Sequence, residues 1–154
     1  MMAKWIVILF SMTAFSANAQ LPSNVTKLIG VWQYQEGSGF ESWELQGGDL
    51  VGHAYRVNSK TGDTSKVEDM RIRKPRKTLT YSMDTYNFVN DSMMIHTQNF
   101  VGEKRKMKFF NISGHTPYEI EYSFGFFNKK KLKIKIYHGP FDKPLTLKLH
   151  RVRD

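Results

Sequence analysis

The sequence predicts an all-β fold, an antiparallel up-and-down barrel of eight to ten strands. Short segments alternate between apolar and polar residues, and turn residues separate them at intervals of about 8–12 residues. No apolar pattern of helical period continues over a dozen residues. A closed barrel is favoured over an open sheet because closure leaves no exposed sheet edge.

The first 19 residues have the three parts of a secretory signal peptide. Lys4 precedes a short apolar run from Trp5 to Phe10, and the small-x-small sequence Ala17-Asn18-Ala19 follows. The run is far shorter than the roughly 20 residues that span a bilayer. We therefore expect cleavage after Ala19, a single domain over residues 20–154, a periplasmic or secreted location and no stable membrane span.

The elements of this domain can be placed in order. Residues Leu21 to Lys27 are expected to form either a helical turn that closes one end of the barrel or a coil. The ninth strand has the clearest alternation, with Leu132, Ile134 and Ile136 on one face and lysines on the other. Residues 84–91 are expected to be a looser stretch. The ten predicted strands are 30–36, 40–45, 50–58, 65–73, 78–83, 92–99, 105–112, 118–124, 131–137 and 145–149.

The net charge of +9 and the absence of cysteine limit the partners and the metal sites that the sequence predicts. Without cysteine the chain forms no disulfides and no thiolate metal site. A basic surface favours anionic partners such as membrane headgroups or acidic glycans, or it only keeps the outer strand faces solvated. Basic residues near aromatic ones, as in Lys104–Lys108 and Lys129–Lys135, can bind single-stranded nucleic acid. An exported protein rarely needs that activity, so no nucleic-acid partner is expected.

Several different short motifs follow one another along the chain in a recognisable order. They are Leu28-Ile29-Gly30-Val31-Trp32, Glu41-Ser42-Trp43, Leu50-Val51-Gly52, Glu68, His115 with Pro117, and Ile120-Glu121-Tyr122. This layout resembles the lipocalin-like domains of exported bacterial proteins, within the calycin superfamily. The resemblance implies a barrel with an interior cavity and a small-molecule ligand, and it supplies no known reaction.

Two tryptophans and one glutamate are the most informative candidates. Trp32 is expected to close the base of the barrel, whereas Trp43 either packs in the core or lines the mouth of a ligand cavity. Glu68 shares its face with Met70 and Ile72. A buried carboxylate is costly unless it is paired, so Glu68 either orients a ligand, acts as a general base or forms a structural ion pair.

The five histidines do not have metal-ligand spacing, so no metal site and no cofactor are predicted. His115 is the best candidate for a single-histidine haem or zinc ligand, or else it is a loop residue. No nucleophile elbow or phosphate-binding loop is present.

These observations give one leading hypothesis and two alternatives. The leading one is an exported protein that binds a small, largely apolar ligand inside the barrel. Its ligand-binding residues would be Tyr34, Trp43, Glu68, Tyr81, His115 and Tyr122. The first alternative is a basic module that docks on an anionic envelope component, and the second is an enzyme that uses Glu68 and His115.

Overall fold

The computed structural model describes residues 20–75, 78–89, 92–103 and 107–153. The predicted signal peptide and residues 104–106 of the first basic stretch lie outside the described residues. One short helix, α1 (Ser23–Thr26), precedes ten strands. The strands are β1 (Gly30–Tyr34), β2 (Gly39–Gln46), β3 (Asp49–Val57), β4 (Thr64–Arg73), β5 (Leu79–Val89), β6 (Ser92–Gly102), β7 (Met107–Asn111), β8 (Glu119–Phe124), β9 (Lys131–Tyr137) and β10 (Leu145–Arg153).

Each strand pairs antiparallel with the next, and β1 also pairs with β10, so the sheet closes into a ten-stranded up-and-down barrel. The predicted fold class is confirmed. The base of the barrel carries α1 and the turns that follow β2, β4, β6 and β8. The mouth carries the turns that follow β1, β3, β5, β7 and β9.

The base is closed by packed side chains. Trp32 is fully buried, its indole N–H donates to the Leu28 carbonyl at 2.7 Å, and the Arg151 guanidinium lies 4.6 Å from its ring centre. Val25 of α1 and Leu28 are also fully buried. Burial of side chains this large contributes about 1.5–3 kcal/mol each. Trp32 therefore closes the base as the sequence predicts, and α1 supplies the expected helical turn.

Small residues on β3 make room for the second tryptophan. Gly52 lies opposite Trp43 in the β2–β3 register, and a methyl group on Gly52 would lie 2.6 Å from the Trp43 ring. The turn that joins these strands is Gly47-Gly48, and both glycines have positive φ. Two-residue hairpins of this kind need positive φ at both positions, which glycine adopts without strain.

The hairpin of β5 and β6 is longer than predicted. Residues 84–89, expected as a looser stretch, continue the β5 ladder from Asp84 opposite Thr97 to Val89 opposite Ser92. Pairing of β4 with β5 ends at Glu68 and Thr85, although both strands continue towards the mouth, where β4 pairs with β3 and β5 pairs with β6. β10 also continues past the predicted end at Leu149, because residues up to Arg153 pair with β1.

Candidate functional site

The mouth half of the barrel contains a cavity of about 550 Å³. Its size falls in the range of small-molecule sites in proteins, about 300–1,000 Å³. Apolar wall residues include Ala54, Met83 and Ile120. The turn between β1 and β2 and the loop between β7 and β8 contribute to the rim. The cavity is therefore open to solvent at the mouth and closed below by the packed base.

Two tyrosines form its most buried wall. The hydroxyls of Tyr81 and Tyr122 lie 3.5 Å apart, and the Tyr122 hydroxyl donates to the Met70 sulfur at 3.8 Å. The Tyr81 ring packs on Phe100 and Phe109 with centre-to-centre distances of 5.3 and 5.0 Å. Burial raises the pKa of both tyrosine hydroxyls well above the ordinary value. Both therefore remain neutral hydrogen-bonding groups on an aromatic wall.

Glu41 is a buried carboxyl group on the same cavity, only 3% exposed. The Tyr34 hydroxyl donates to its Oε1 at 2.8 Å, and the Trp43 indole N–H donates to its Oε2 at 3.0 Å. Burial raises its pKa from 4.5 to about 7, against the two hydrogen bonds, which lower it; the charge of Glu68 raises it further. Near neutral pH this carboxyl can therefore hold or release a proton.

Glu68 supplies a second carboxyl group to the cavity from β4. Burial raises its pKa, and the nearby positive charge of Arg56 opposes that shift. In the strand register Ala54 lies opposite Glu41 on one side and opposite Glu68 on the other. The two carboxyl groups are thus carried by strands on either side of one small inward residue.

The cavity differs in charge from the rest of the protein. Among the described residues that line it, Glu36, Glu41 and Glu68 are acidic, Arg56 is the one arginine or lysine, and two histidines are also present. Lysine and arginine outnumber acidic residues by 23 to 14 over the whole chain. A basic exterior therefore surrounds an interior with an excess of carboxyl groups.

Four of the six predicted ligand-binding residues line this cavity, namely Tyr34, Glu68, Tyr81 and Tyr122. Trp43 does not line it. Its indole packs on Gly52, meets the Tyr122 ring edge-on at 6.0 Å between ring centres, and holds the Glu41 carboxyl. Of the two alternatives for Trp43, the structure shows core packing.

His115 is exposed and does not line the cavity, although the next two residues of its loop, Thr116 and Pro117, do. A turn at the rim directs its side chain to solvent. The structure therefore does not bring His115 together with Glu68 in the cavity.

Sequence reasoning missed Glu41 as a site residue. The signal was present, because Glu41 and Trp43 are two apart on one strand and must share a face. It also missed Gln98 of β6, which lines the cavity and donates to the Thr116 carbonyl at 2.5 Å. His96 and His138 line the cavity near the mouth as well.

A second polar cluster lies on the outside of the barrel, across β3, β4 and β5. Asp69 accepts hydrogen bonds from His53, Tyr86 and Lys66, the last at 2.8 Å. Burial alone would raise the pKa of Asp69, but the hydrogen bonds from Lys66, Tyr86 and His53 lower it. Because its groups satisfy one another, we interpret this cluster as a tie between strands.

In the described part of the chain, no three histidine, acidic or cysteine side chains are grouped as they would be around a metal ion. No helix within the described ranges is both long and apolar enough to cross a bilayer. No family model, curated protein or solved structure matches the chain.

Proposed function

We propose that the protein is an exported binding protein that holds a small, largely apolar molecule in the mouth half of its barrel. The observation that supports this proposal is the 550 Å³ cavity, with aromatic and aliphatic walls and a few convergent polar groups. The signal-like segment at residues 1–19 supports export to the periplasm or the medium. The Gly30-x-Trp32 start of a closed barrel supports placement among lipocalin-like proteins.

Binding, and not catalysis, is the function that this geometry favours. The Glu41 carboxyl is held by two donors, and the tyrosine hydroxyls are kept neutral by burial. Such groups are suited to orienting a ligand and hydrogen-bonding to it.

Native mass spectrometry of the exported protein, before and after delipidation, tests the proposal. We expect added mass on the purified protein, its loss on delipidation, and its return when the delipidated protein is mixed with decanol. A matched pair of variants locates the site. Thr85 lines the cavity and Thr97 lies on the exposed outer face of the same hairpin. Thr85→Phe should reduce binding, and Thr97→Phe should leave it unchanged.

Two results would overturn the proposal. One is a protein that never carries bound mass and whose tryptophan fluorescence ignores panels of fatty acids, alcohols and amines. The other is bound mass that both phenylalanine variants keep in full, because the ligand would then lie elsewhere.

A second candidate function is docking on an anionic envelope component. In the β8–β9 turn at the base, Phe126 and Phe127 are 92% and 97% exposed, and Lys129–Lys131 follow after Asn128. Adjacent exposed aromatic rings and lysines are the groups that enter the interface of an anionic membrane. The cavity is at the opposite end of the barrel, so both functions are compatible.

Sedimentation with phosphatidylglycerol vesicles tests this second function, with phosphatidylcholine vesicles as the uncharged comparison. We expect binding to the anionic vesicles that weakens with salt, because salt screens exposed charges. Replacing Phe126 and Phe127 by serine should abolish it. Phe141→Ser is the matched control, since Phe141 is 99% exposed but lies in the β9–β10 loop at the mouth. Equal binding to both vesicle types would refute the docking function.

A further inference from the structure

The positions of Glu41, Ala54 and Glu68 define a notch in the cavity wall. The three residues are register partners on the neighbouring strands β2, β3 and β4. Adjacent strands are about 4.8 Å apart, so the two glutamate backbones are separated by roughly 10 Å. The residue between them carries only a methyl group. All three residues line the cavity, so no bulky side chain stands between the two carboxyl-bearing residues on this part of the wall.

The groups around this notch are mainly hydrogen-bond acceptors and aromatic rings. An ionised carboxylate only accepts hydrogen bonds, whereas an alkylammonium group only donates them. Glu41 already receives one donor on each oxygen, and each oxygen retains capacity for a second. The rings of Tyr34, Tyr81 and Tyr122 line the same cavity, and aromatic faces attract cations. Arg56 is exposed, so its charge lies at the rim and is partly screened by solvent.

Resting on the proposed function, we propose that the ligand is an amine with an apolar body, and that its ammonium group lies in the notch between Glu41 and Glu68. The apolar body then packs against the aliphatic and aromatic wall towards the mouth. An anionic head group would be repelled by the same carboxyl groups. The basic exterior does not favour a cation, so selection for the amine comes from the interior.

Isothermal titration calorimetry of the exported, delipidated protein with three probes of equal chain length tests this inference. The probes are decylamine, decanol and decanoate, which carry a cationic, a neutral and an anionic head group. We expect decylamine to bind about tenfold or more tightly than decanol, since hydrogen bonds to charged groups are worth at least that factor. Decanoate should bind most weakly.

Substitution of single carboxyl groups tests which residues bind the ammonium group. Glu68→Gln and Glu41→Gln should each remove most of the preference for decylamine over decanol. Glu68 makes no side-chain hydrogen bond among those found in the described residues, so its replacement should leave the fold intact. Glu121→Gln is the control, because it removes the same charge from the outer face of β8, where Glu121 lies 4.0 Å from Lys135. It should retain the preference.

The outcomes separate this inference from the proposed function. If decanol binds in the cavity and decylamine binds no better, the amine inference is wrong and the binding function stands. An amine preference that survives both Glu68→Gln and Glu41→Gln also overturns it. If none of the three probes binds, the result counts against the proposed function itself.

Discussion

Replacing Glu41 by glutamine should change how the stability of the barrel depends on pH. The folded protein raises the pKa of this carboxyl to about 7, against 4.5 for the free group. Below about pH 4.5 both the folded and the unfolded chain hold the proton, and the stabilising contribution is fully present. As the pH rises through about 7 that contribution is lost, because the folded state alone has been retaining the proton.

The size of the effect follows from the two pKa values. Their difference corresponds to a loss of folding free energy on the order of 3 kcal/mol between about pH 4.5 and pH 8. Glutamine does not ionise, so the Glu41→Gln variant lacks this loss. Its amide keeps an acceptor for either Tyr34 or Trp43 but not for both, which costs about 1 kcal/mol. The variant should therefore be less stable than the wild type near pH 4, by about 1 kcal/mol, and more stable near pH 8, by about 2 kcal/mol.

Urea unfolding at a series of pH values, followed by tryptophan fluorescence, measures this crossing. Glu68 and Asp69 also titrate with shifted pKa values, but both proteins contain them, so their effects largely cancel in the difference. Glu121→Gln on the outer face should follow the wild-type curve. Two stability curves that run parallel from pH 5 to pH 8 would show that Glu41 does not titrate as the burial of its carboxyl requires.

Three further predictions test the packing and the N-terminus. Gly52→Ala should lower the free energy of unfolding in urea by about 1–3 kcal/mol, because the added methyl group would overlap the Trp43 ring. Gly139→Ala is the control and should change it little, because the added methyl group would meet only a flexible aspartate side chain. Equal effects of the two substitutions would contradict the packing argument. Trp32→Phe should lower the free energy of unfolding by about 2–4 kcal/mol, because the Leu28 carbonyl loses its hydrogen-bond donor and a gap opens at the base of the barrel. An unchanged unfolding midpoint would contradict the role of Trp32 in closing the base. Mass spectrometry of the protein exported by its host should give the intact mass of a chain that begins at Gln20. A mass that still includes residues 1–19 would disprove cleavage.

The sequence was most informative where one face of a strand is buried and the other is exposed to solvent. On β9, Leu132 and Ile134 are buried and Lys131 and Lys133 are exposed, which is the alternation that a half-buried strand requires. The same reasoning placed Tyr81 and Met83 on one inward face of β5. Strand closure between β1 and β10 follows from the count and order of such strands.

The sequence pattern was least informative for the β5–β6 hairpin near the mouth. Its outer part does not pair with β4, and residues 92–97 of β6 are all exposed, so burial does not alternate along that segment. Exposed Met93, Met94 and Ile95 on β6 blur the alternation further. Backbone pairing alone defines this part of the hairpin, and sequence composition does not reveal it.

The candidate site could be predicted in part because inward alternation identifies cavity tyrosines. Glu41 was missed although its spacing from Trp43 places both on one strand face, because the hydrogen bonds that hold its carboxyl group inside form only in the closed barrel. His115 was overvalued because a residue's position in a rim loop does not determine whether its side chain points inward. The direction of a loop side chain depends on the turn, and a linear pattern does not contain it.

Ligand binding inside the barrel can be tested by nuclear magnetic resonance of ring-labelled tyrosines, recorded while the delipidated protein is titrated with decanol and decylamine. We expect the ring signals of Tyr34, Tyr81 and Tyr122 to shift together and saturate at one equivalent, while those of Tyr86 and Tyr137 on the outside stay unchanged. Cavity tyrosines that stay unmoved while the outer rings shift would contradict it.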